Sequence, residues 1–349
     1  MYNPIVKEDM KFIINNDIPW NNLEGKTILI SGANGFLASY IVKTILYLNE
    51  NFFESNAKII GLVRNKNKAL EKFPKKNDAL TLQVQDLCQP LKTNFDTDFI
   101  IHAASQASPK YYNQDPVGTL CPNIVGTYQL LELARKNDLE NFLFFSSGEV
   151  YGETKHFPTS ENDYGYVNPT EIRSCYAESK RMGENMCVSW FKQYGVPTKI
   201  IRPFHTYGPG MSLDDGRVFA DFVSDIINRQ NIVMKSHGKA KRAFCYLADA
   251  IAGFFTVLFK GQKGESYNVG NDKGEISISD LANKLVNLYP EYKLKVIREI
   301  RKDSDYLESK ISRNSPDISK IRSLGWEPYY SIDEGFKRTV ESFNFTKIH

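Results

Sequence analysis

The sequence carries no strong excess of either charge. Its 44 basic and 41 acidic residues give a net charge of +3 at pH 7. A chain whose charges balance this closely lacks the positive field that attracts nucleic acid, so we predict no nucleic-acid partner. It also has no acidic tail. Substrates should instead be recognised by local groups in a cleft.

Long apolar runs are also missing. The longest, near residues 251–259, is far shorter than the ~20 residues that a membrane-spanning helix needs. Residues 1–11 lack the basic-then-apolar order of a signal peptide. We therefore predict no membrane partner and a cytoplasmic location.

Cysteines are few, and none of their spacings matches a metal site or a CxxC redox pair. An odd number of scattered cysteines indicates reduced thiols, and we expect this state for all of them. The cysteines are Cys88, Cys121, Cys175, Cys187 and Cys245. Because the histidines form no ligand pair either, we predict no metal.

An aliphatic run, a glycine turn and a helical pattern follow one another at residues 27–38, which read TILISGANGFLA. Gly32 permits a tight turn, Gly35 lets a pyrophosphate approach the backbone, and Ala38 lets the helix lie close to the sheet. The N-terminus of the helix would then face the anion. We predict a dinucleotide here, with contacts from Gly32, Asn34, Gly35, Phe36 and Leu37.

Strand-like and helical stretches alternate regularly as far as residue 147. The expected strands after the first lie at 58–63, 79–84, 99–102 and 141–146. This alternation predicts an α/β fold with a Rossmann-like, doubly wound parallel sheet and a smaller C-terminal substrate-binding domain. We assign 1–25 to an N-terminal extension, 26–204 to the dinucleotide-binding domain with return segments near 240–260, and 205–349 mainly to the substrate-binding domain. The extension shows neither a strand period nor a long helical one, and we expect it to pack outside the sheet.

An arginine stands at the end of the second expected strand, where an acid would hold the ribose hydroxyls of NAD. Arg64, with Lys66 and Lys68 nearby, would instead hold a 2′-phosphate, so we predict NAD(P) with a preference for NADP. The alternative is a solvated basic loop. Further cofactor contacts are expected from Asp86, at the adenine amino group, and from Leu87, Ala103 and Ala104.

Two segments carry the candidate catalytic residues. Ser147 and Glu149 follow the fifth strand, at the carboxyl edge of the sheet where doubly wound folds bind ligands. Tyr176 and Lys180 lie four residues apart in a helical stretch, so their side chains share one face. The ammonium of Lys180 would lower the pKa of the phenol and let Tyr176 act as a general base, while Ser147 would hydrogen-bond the substrate oxygen.

With these motifs the chain resembles the extended short-chain dehydrogenase/reductases, specifically the nucleotide-sugar epimerases, dehydratases and decarboxylases. The resemblance covers roughly residues 25–343 and is nearest to the decarboxylases that act on UDP-glucuronate. Among the similar segments are 102–109, 147–152, 175–181, 242–244 and 324–328. It implies a nucleotide-diphosphate sugar substrate, oxidation at sugar C4, and Ser147, Glu149, Tyr176 and Lys180 as the catalytic group.

The resemblance also implies the substrate contacts, of which Arg242 would meet the diphosphate. The expected contacts are Ser105, His205, Arg217, Arg242 and Arg313. Five positions depart from the family pattern, among them Arg64, described above, and Gly210, which replaces an arginine of the decarboxylases. Gly148 replaces a serine or an aspartic acid and offers no proton to a leaving hydroxyl, and His205 replaces an asparagine. Arg313 lies one residue farther from Pro316 than the arginine that the decarboxylases direct at the sugar carboxylate.

Several outcomes remain open after oxidation at C4. They are decarboxylation, 4,6-dehydration, 4-epimerisation and one-way reduction of a 4-keto sugar, and a non-catalytic dinucleotide sensor on the same fold is a remote alternative. The resemblance further implies a homodimer formed by the helices around 123–135 and 176–194. Alternatively, the apolar faces of these helices simply pack on the sheet.

Overall fold

The computed structural model describes residues 3–74, 76–299 and 311–348. The strands are β1 (Thr27–Ser31), β2 (Lys58–Val63), β3 (Leu80–Val84), β4 (Phe99–His102), β5 (Asn141–Phe145), β6 (Thr198–Pro203), β7 (His205–Tyr207), β8 (Ile232–Met234), β9 (Lys241–Tyr246), β10 (Ser266–Val269), β11 (Glu275–Ser277), β12 (Val296–Arg298) and β13 (Arg313–Asn314). The helices are α1 (Pro4–Ile14), α2 (Phe36–Asn51), α3 (Lys66–Lys72), α4 (Lys110–Gln114), α5 (Pro116–Lys136), α6 (Cys175–Tyr194), α7 (Val218–Ile227), α8 (Leu247–Lys260), α9 (Ile278–Asn287), α10 (Ser319–Arg322) and α11 (Ile332–Ile348).

A parallel sheet of seven strands forms the centre of the molecule, in the order β10-β6-β5-β4-β1-β2-β3. All four residues of β4 are buried, as are four of the five in β1 and in β5, because helices cover both faces of the sheet. The strand order reverses between β1 and β4, and ligands of open α/β sheets bind beside that point. The predicted α/β class with a Rossmann-like sheet is confirmed.

A smaller set of strands faces the carboxyl ends of the large sheet. β9 pairs with β7, β11 and β13, and β8 pairs with β12. Within the segment after residue 205, helix α8 and strand β10 return to the large sheet, where β10 pairs with β6. The large sheet thus contains residues from both sides of position 205. The division of the chain there into two functional domains stays a prediction.

The N-terminal extension contains a helix, which the sequence analysis did not find. Asn3 caps α1 through a hydrogen bond to the Ile5 N–H at 3.0 Å, and Val6, Met10 and Ile13 are buried at helical spacing. The buried polar residue Asp9 interrupts this apolar face, and the helix is short, which explains why no period was visible. The helix packs outside the sheet, against α8, α2 and α11.

Two of the expected free thiols are joined. Cys88 and Cys121 form a disulfide with their Cα atoms 5.6 Å apart, so the prediction of five reduced thiols is wrong. The loop after β3 packs on α5, where the Gln129 side chain bonds to the Leu91 N–H at 2.8 Å and to the Leu87 carbonyl at 2.8 Å. This contact brings together two cysteines that are 33 residues apart in sequence, so their spacing gave no signal.

Within the ranges that the structure describes, none of the helices combines the length and apolar character needed to cross a membrane.

Candidate active site

The turn after β1 has the geometry that a bound pyrophosphate requires. Gly32 has a φ of +65°, and a Cβ there would lie 2.8 Å from the Cα of Ala104. Gly35 is the N-cap of α2 and offers no side chain to cap the helix, so the N-terminal N–H groups point toward the cleft that Phe36 and Leu37 line. The residues at this turn fit a dinucleotide.

A buried network fixes the next loop of the predicted cofactor site. Ser31 Oγ accepts hydrogen bonds from the Ala103 and Ala104 N–H groups at 3.1 and 3.0 Å and lies 2.7 Å from His102 Nδ1. Burial lowers the pKa of His102 to about 3, so the imidazole is neutral. Its Nε2 lies 3.0 Å from Thr127 Oγ1. Sequence reasoning missed Ser31, because a serine at the end of a buried strand carries no motif.

The predicted adenosine contacts lie on the loops after β2 and β3. Arg64 is exposed and lines a side cavity of about 310 Å³, which shares Phe36 and Ser105 with the main cleft. Asp86 accepts a hydrogen bond from the Cys88 N–H at 2.9 Å, so its loop is tightly turned.

The structure brings the four candidate catalytic residues to one cleft of about 860 Å³. Ser147 and Glu149 reach it from the turn after β5, and Tyr176 and Lys180 reach it from the first turns of α6. Residues after 205 line its opposite wall. The cleft therefore lies between the large sheet and the smaller strands.

Tyr176 is buried at the centre of this group. Its hydroxyl hydrogen-bonds to Ser147, and its ring stacks on Tyr112 with centroids 5.3 Å apart. Burial raises the pKa of Tyr176 to about 12, while the bond to Ser147 acts in the opposite direction. A base at this position needs a further positive charge to ionise near neutral pH.

Lys180 lies one helical turn beyond Tyr176, with Nζ 5.8 Å from the centroid of the phenol ring. Nζ donates a hydrogen bond to the Phe145 carbonyl at 2.6 Å. Burial lowers the pKa of Lys180 to about 7. The lysine is therefore poised between its charged and neutral forms near neutral pH.

Glu149 is paired with an arginine that the sequence analysis did not single out. Arg173 Nη1 lies 3.6 Å from Glu149 Oε2, and both side chains line the cleft. Arg173 sits two residues before α6, outside any recognised motif. Gly148 is buried, and a Cβ there would meet the Phe204 ring at 3.3 Å, so Phe204 closes the wall at this point.

Four of the five expected substrate contacts line this cleft or the side cavity. Ser105 Oγ and His205 Nδ1 are buried and have no hydrogen-bond partner within the described ranges. Burial lowers the pKa of His205 well below its usual range, so the ring is neutral. Arg217 Nε donates to Asp215 at 2.8 Å, and Arg242 Nη1 donates to the Lys241 carbonyl at 2.8 Å.

Arg313 is not brought to the cleft with the others. Its Nε and Nη2 donate to the two carboxylate oxygens of Glu275, each at 2.9 Å. The next residue, Asn314, lines the cleft instead; it is 7% exposed, and its Oδ1 has no partner in the part of the chain that is described. The one-residue offset from Pro316 was visible in the sequence, but the role of Asn314 was not.

This arrangement of turn, strand-end serine and tyrosine–lysine helix lies within a segment that matches a known family. Residues 28–270 match the sequence model of the NAD dependent epimerase/dehydratase family. The chain belongs to this family. The NAD dependent epimerase/dehydratases are enzymes, and the resemblance drawn from the sequence is confirmed.

Relatives within this family extend the likeness over most of the chain. UDP-glucuronic acid decarboxylase 6 of Arabidopsis thaliana is 32% identical over 319 residues, which cover 90% of this chain and 88% of the relative. UDP-glucuronic acid decarboxylase 1 of Xenopus tropicalis is 32% identical over 327 residues, covering 91% and 72%. The solved structure of UDP-glucuronic acid 4-epimerase from Bacillus cereus, in complex with UDP-glucuronic acid and NAD, has a TM-score of 0.75 at 23% identity and covers 92% of this chain and 99% of that one.

Proposed function

We propose that this member of the NAD dependent epimerase/dehydratase family oxidises C4 of a nucleoside-diphosphate sugar, with Tyr176 as the general base. The observation that carries the proposal is the buried Tyr176 hydroxyl, bonded to Ser147 and beside Lys180 in a cleft large enough for a nucleotide sugar. Ser105 Oγ and His205 Nδ1, which have no hydrogen-bond partner among the described residues, lie on the same cleft and are suited to sugar or phosphate oxygens.

Three residues of the group, Tyr176, Ser147 and Lys180, each have one task in this oxidation. When bound, the nicotinamide cofactor supplies the acceptor for the hydride that leaves C4. Tyr176 takes the proton of the C4 hydroxyl, and Ser147 holds the oxygen by a hydrogen bond. The Lys180 ammonium stabilises the tyrosinate. The product of this step is a 4-keto sugar.

The leading specific reaction is decarboxylation of UDP-glucuronate. A ketone at C4 makes the C6 carboxylate a β-keto acid, so the C5–C6 bond breaks, carbon dioxide leaves and the electron pair passes to the ketone oxygen as an enolate. C5 then takes a proton, and return of the hydride to C4 would give the pentose and leave the bound cofactor in its starting state. Decarboxylation needs no acid for a leaving hydroxyl, and Gly148 provides none. Arg173 lines the cleft and can meet the substrate carboxylate, whereas Arg313 is bonded to Glu275 and does not line the cleft. The decarboxylases among the relatives support this choice.

A second candidate is 4-epimerisation of a neutral nucleotide sugar. It is favoured by Asn314, whose uncharged amide lines the cleft next to the arginine that does not reach it. A buried amide hydrogen-bonds a sugar hydroxyl well but does not neutralise a carboxylate.

Chromatography coupled to mass spectrometry of the products from a panel of nucleotide sugars distinguishes these reactions, since chromatography separates an epimer from its substrate. Decarboxylation removes carbon dioxide, dehydration removes water, reduction adds two hydrogens, and epimerisation leaves the mass unchanged. We expect carbon dioxide loss from UDP-glucuronate. Water loss from a neutral hexose, with no carbon dioxide from any uronate, would contradict the proposal.

We further propose that the enzyme prefers NADP to NAD. Arg64 is exposed at the end of β2, at the rim of the side cavity, where its guanidinium can bind a 2′-phosphate through two hydrogen bonds. Arg64→Asp is therefore expected to shift the ratio of the NADP and NAD dissociation constants toward NAD by about tenfold or more, the effect of one charge-assisted hydrogen bond. Calorimetry on cofactor-free protein measures both constants. Tighter NAD than NADP binding in the unmodified protein would overturn the preference.

A homodimer is the oligomeric state that we propose. Helices α5 and α6 pack on each other and expose apolar side chains on their outer surface. These are Val117, Val125, Tyr128, Met182, Val188 and Tyr194, between 41% and 71% exposed. A second copy of the chain would cover this face. The cytoplasmic location stays a prediction from the sequence.

A further inference from the structure

Behind Tyr176 and Lys180 lies an ion pair that does not line the cleft. Glu184 is the next residue on the same face of α6, eight positions after Tyr176, and it is 9% exposed. Its Oε1 accepts from Arg202 Nε at 2.8 Å and its Oε2 accepts from Arg202 Nη2 at 2.6 Å. Arg202, on β6, is 1% exposed.

This pair reaches the cleft through two residues. Ser146 Oγ donates a short hydrogen bond to Glu184 Oε1, and Ser146 lines the cleft beside Ser147. Lys180 lies one helical turn before Glu184, and the negative charge of Glu184 opposes the loss of the Lys180 proton. Glu184 thus favours the charged form of Lys180 and holds the Ser146 hydroxyl beside the catalytic group.

Arg202 is itself held on its far side. Its Nη1 donates to the Tyr151 hydroxyl at 2.8 Å and to the Glu161 carbonyl at 2.9 Å. A buried ion pair is weak evidence for stability, because desolvating both charges offsets most of their attraction. The orientation of this pair, with the carboxylate toward Lys180 and the guanidinium away from it, favours a role in the site.

We propose that Glu184 is a positioning residue, which keeps Lys180 charged and Ser146 oriented, with Arg202 as its buried counterion. The proposal rests on the base role of Tyr176 proposed above. Glu184 does not itself line the cleft, so it acts through Lys180 and Ser146.

Other titratable groups also face Lys180 and the Tyr176 phenol. His102 on β4 is neutral and Cys187 on α6 has a pKa raised by burial, so neither supplies a charge at neutral pH. Glu149 raises and Arg217 lowers the pKa of Tyr176 from the cleft side. The Tyr112 ring stacked on Tyr176 is also neutral, because burial raises its pKa. Among the described residues, Glu184 supplies a negative charge that acts on Lys180 from outside the cleft.

The test follows ionisation of the Lys180 ammonium by nuclear magnetic resonance of protein whose lysines carry carbon-13 at Cε, in the NAD(P)-loaded enzyme. The spectrum of the matching Lys180→Met protein identifies the Lys180 signal in each case. Glu184→Gln removes the negative charge that opposes loss of the Lys180 proton, so the Lys180 midpoint, about pH 7 in the wild type, should fall by about one pH unit or more. Glu184→Asp keeps the charge and should titrate like the wild type. No nucleotide sugar is needed, so this result is independent of which reaction the enzyme performs.

Two further variants serve as controls. Glu184→Gln/Arg202→Gln removes both charges together, so it tests the same shift without leaving Arg202 buried and unpaired. Glu161→Gln removes a buried carboxylate that bonds to the Asn268 N–H at 2.8 Å, outside the catalytic group, and should leave the Lys180 midpoint unchanged. An unshifted midpoint in both Glu184→Gln proteins, or an equal shift in Glu161→Gln, would overturn the proposal.

Discussion

Tyr176→Phe is expected to abolish turnover while leaving the fold and cofactor binding intact. The substitution removes only the hydroxyl that takes the C4 proton, and the remaining ring still stacks on Tyr112. Loss of one positioned acid–base group costs ~10²- to 10⁴-fold in rate. The turnover number on the substrate identified from the panel measures the effect.

A matched control is Tyr207→Phe. Tyr207 is also a buried tyrosine, but its hydroxyl contacts the Ile332 carbonyl at 3.4 Å, its ring stacks on Phe336, and it does not line the cleft. Its variant should keep most of the activity. Near wild-type turnover of Tyr176→Phe would remove Tyr176 from the mechanism.

The second large effect is expected from Lys180→Ala, which should cost a comparable factor at neutral pH and recover part of it as the pH rises. Burial raises the pKa of the phenol, and without the ammonium Lys180 no longer offsets this rise. Below the pKa of the phenol, the tyrosinate fraction grows about tenfold per pH unit. Activity of the variant should therefore climb with pH along this slope.

The wild-type enzyme should behave differently over the same range. Burial lowers the pKa of Lys180 to about 7, so the charged form that aids the phenol is present below that pH and declines above it. Its profile should accordingly rise less steeply than that of Lys180→Ala. Parallel profiles for the two proteins would show that the Lys180 charge does not act on Tyr176. Lys180→Met, which better preserves the buried volume, checks that a packing defect is not responsible.

The parts of the site that the sequence predicted are those where one local pattern fixes the backbone. The turn at Gly32 follows from a strand that must break and restart as a helix, and the shared face of Tyr176 and Lys180 follows from helical spacing alone. Both patterns need only a few neighbouring residues. Both could therefore be predicted without knowledge of the rest of the fold.

The parts that were missed depend on contacts between distant segments. Arg173 meets Glu149 only because the segment before α6 folds over the turn after β5. Whether Arg313 or Asn314 reaches the cleft is set by the pairing of β13 with β9 and by the position of Glu275. The disulfide between Cys88 and Cys121 likewise requires the loop after β3 to pack against α5.

The central claim is that oxidation at C4 leads to loss of the sugar carboxylate, and it is tested most directly with UDP-glucuronate labelled with carbon-13 at C6. The NAD(P)-loaded enzyme is incubated with this substrate, and mass spectrometry follows both the gas and the sugar nucleotide. We predict labelled carbon dioxide and an unlabelled UDP-pentose, both absent with Tyr176→Phe. A sugar nucleotide that keeps its label while a neutral UDP-hexose is converted under the same conditions would contradict the account.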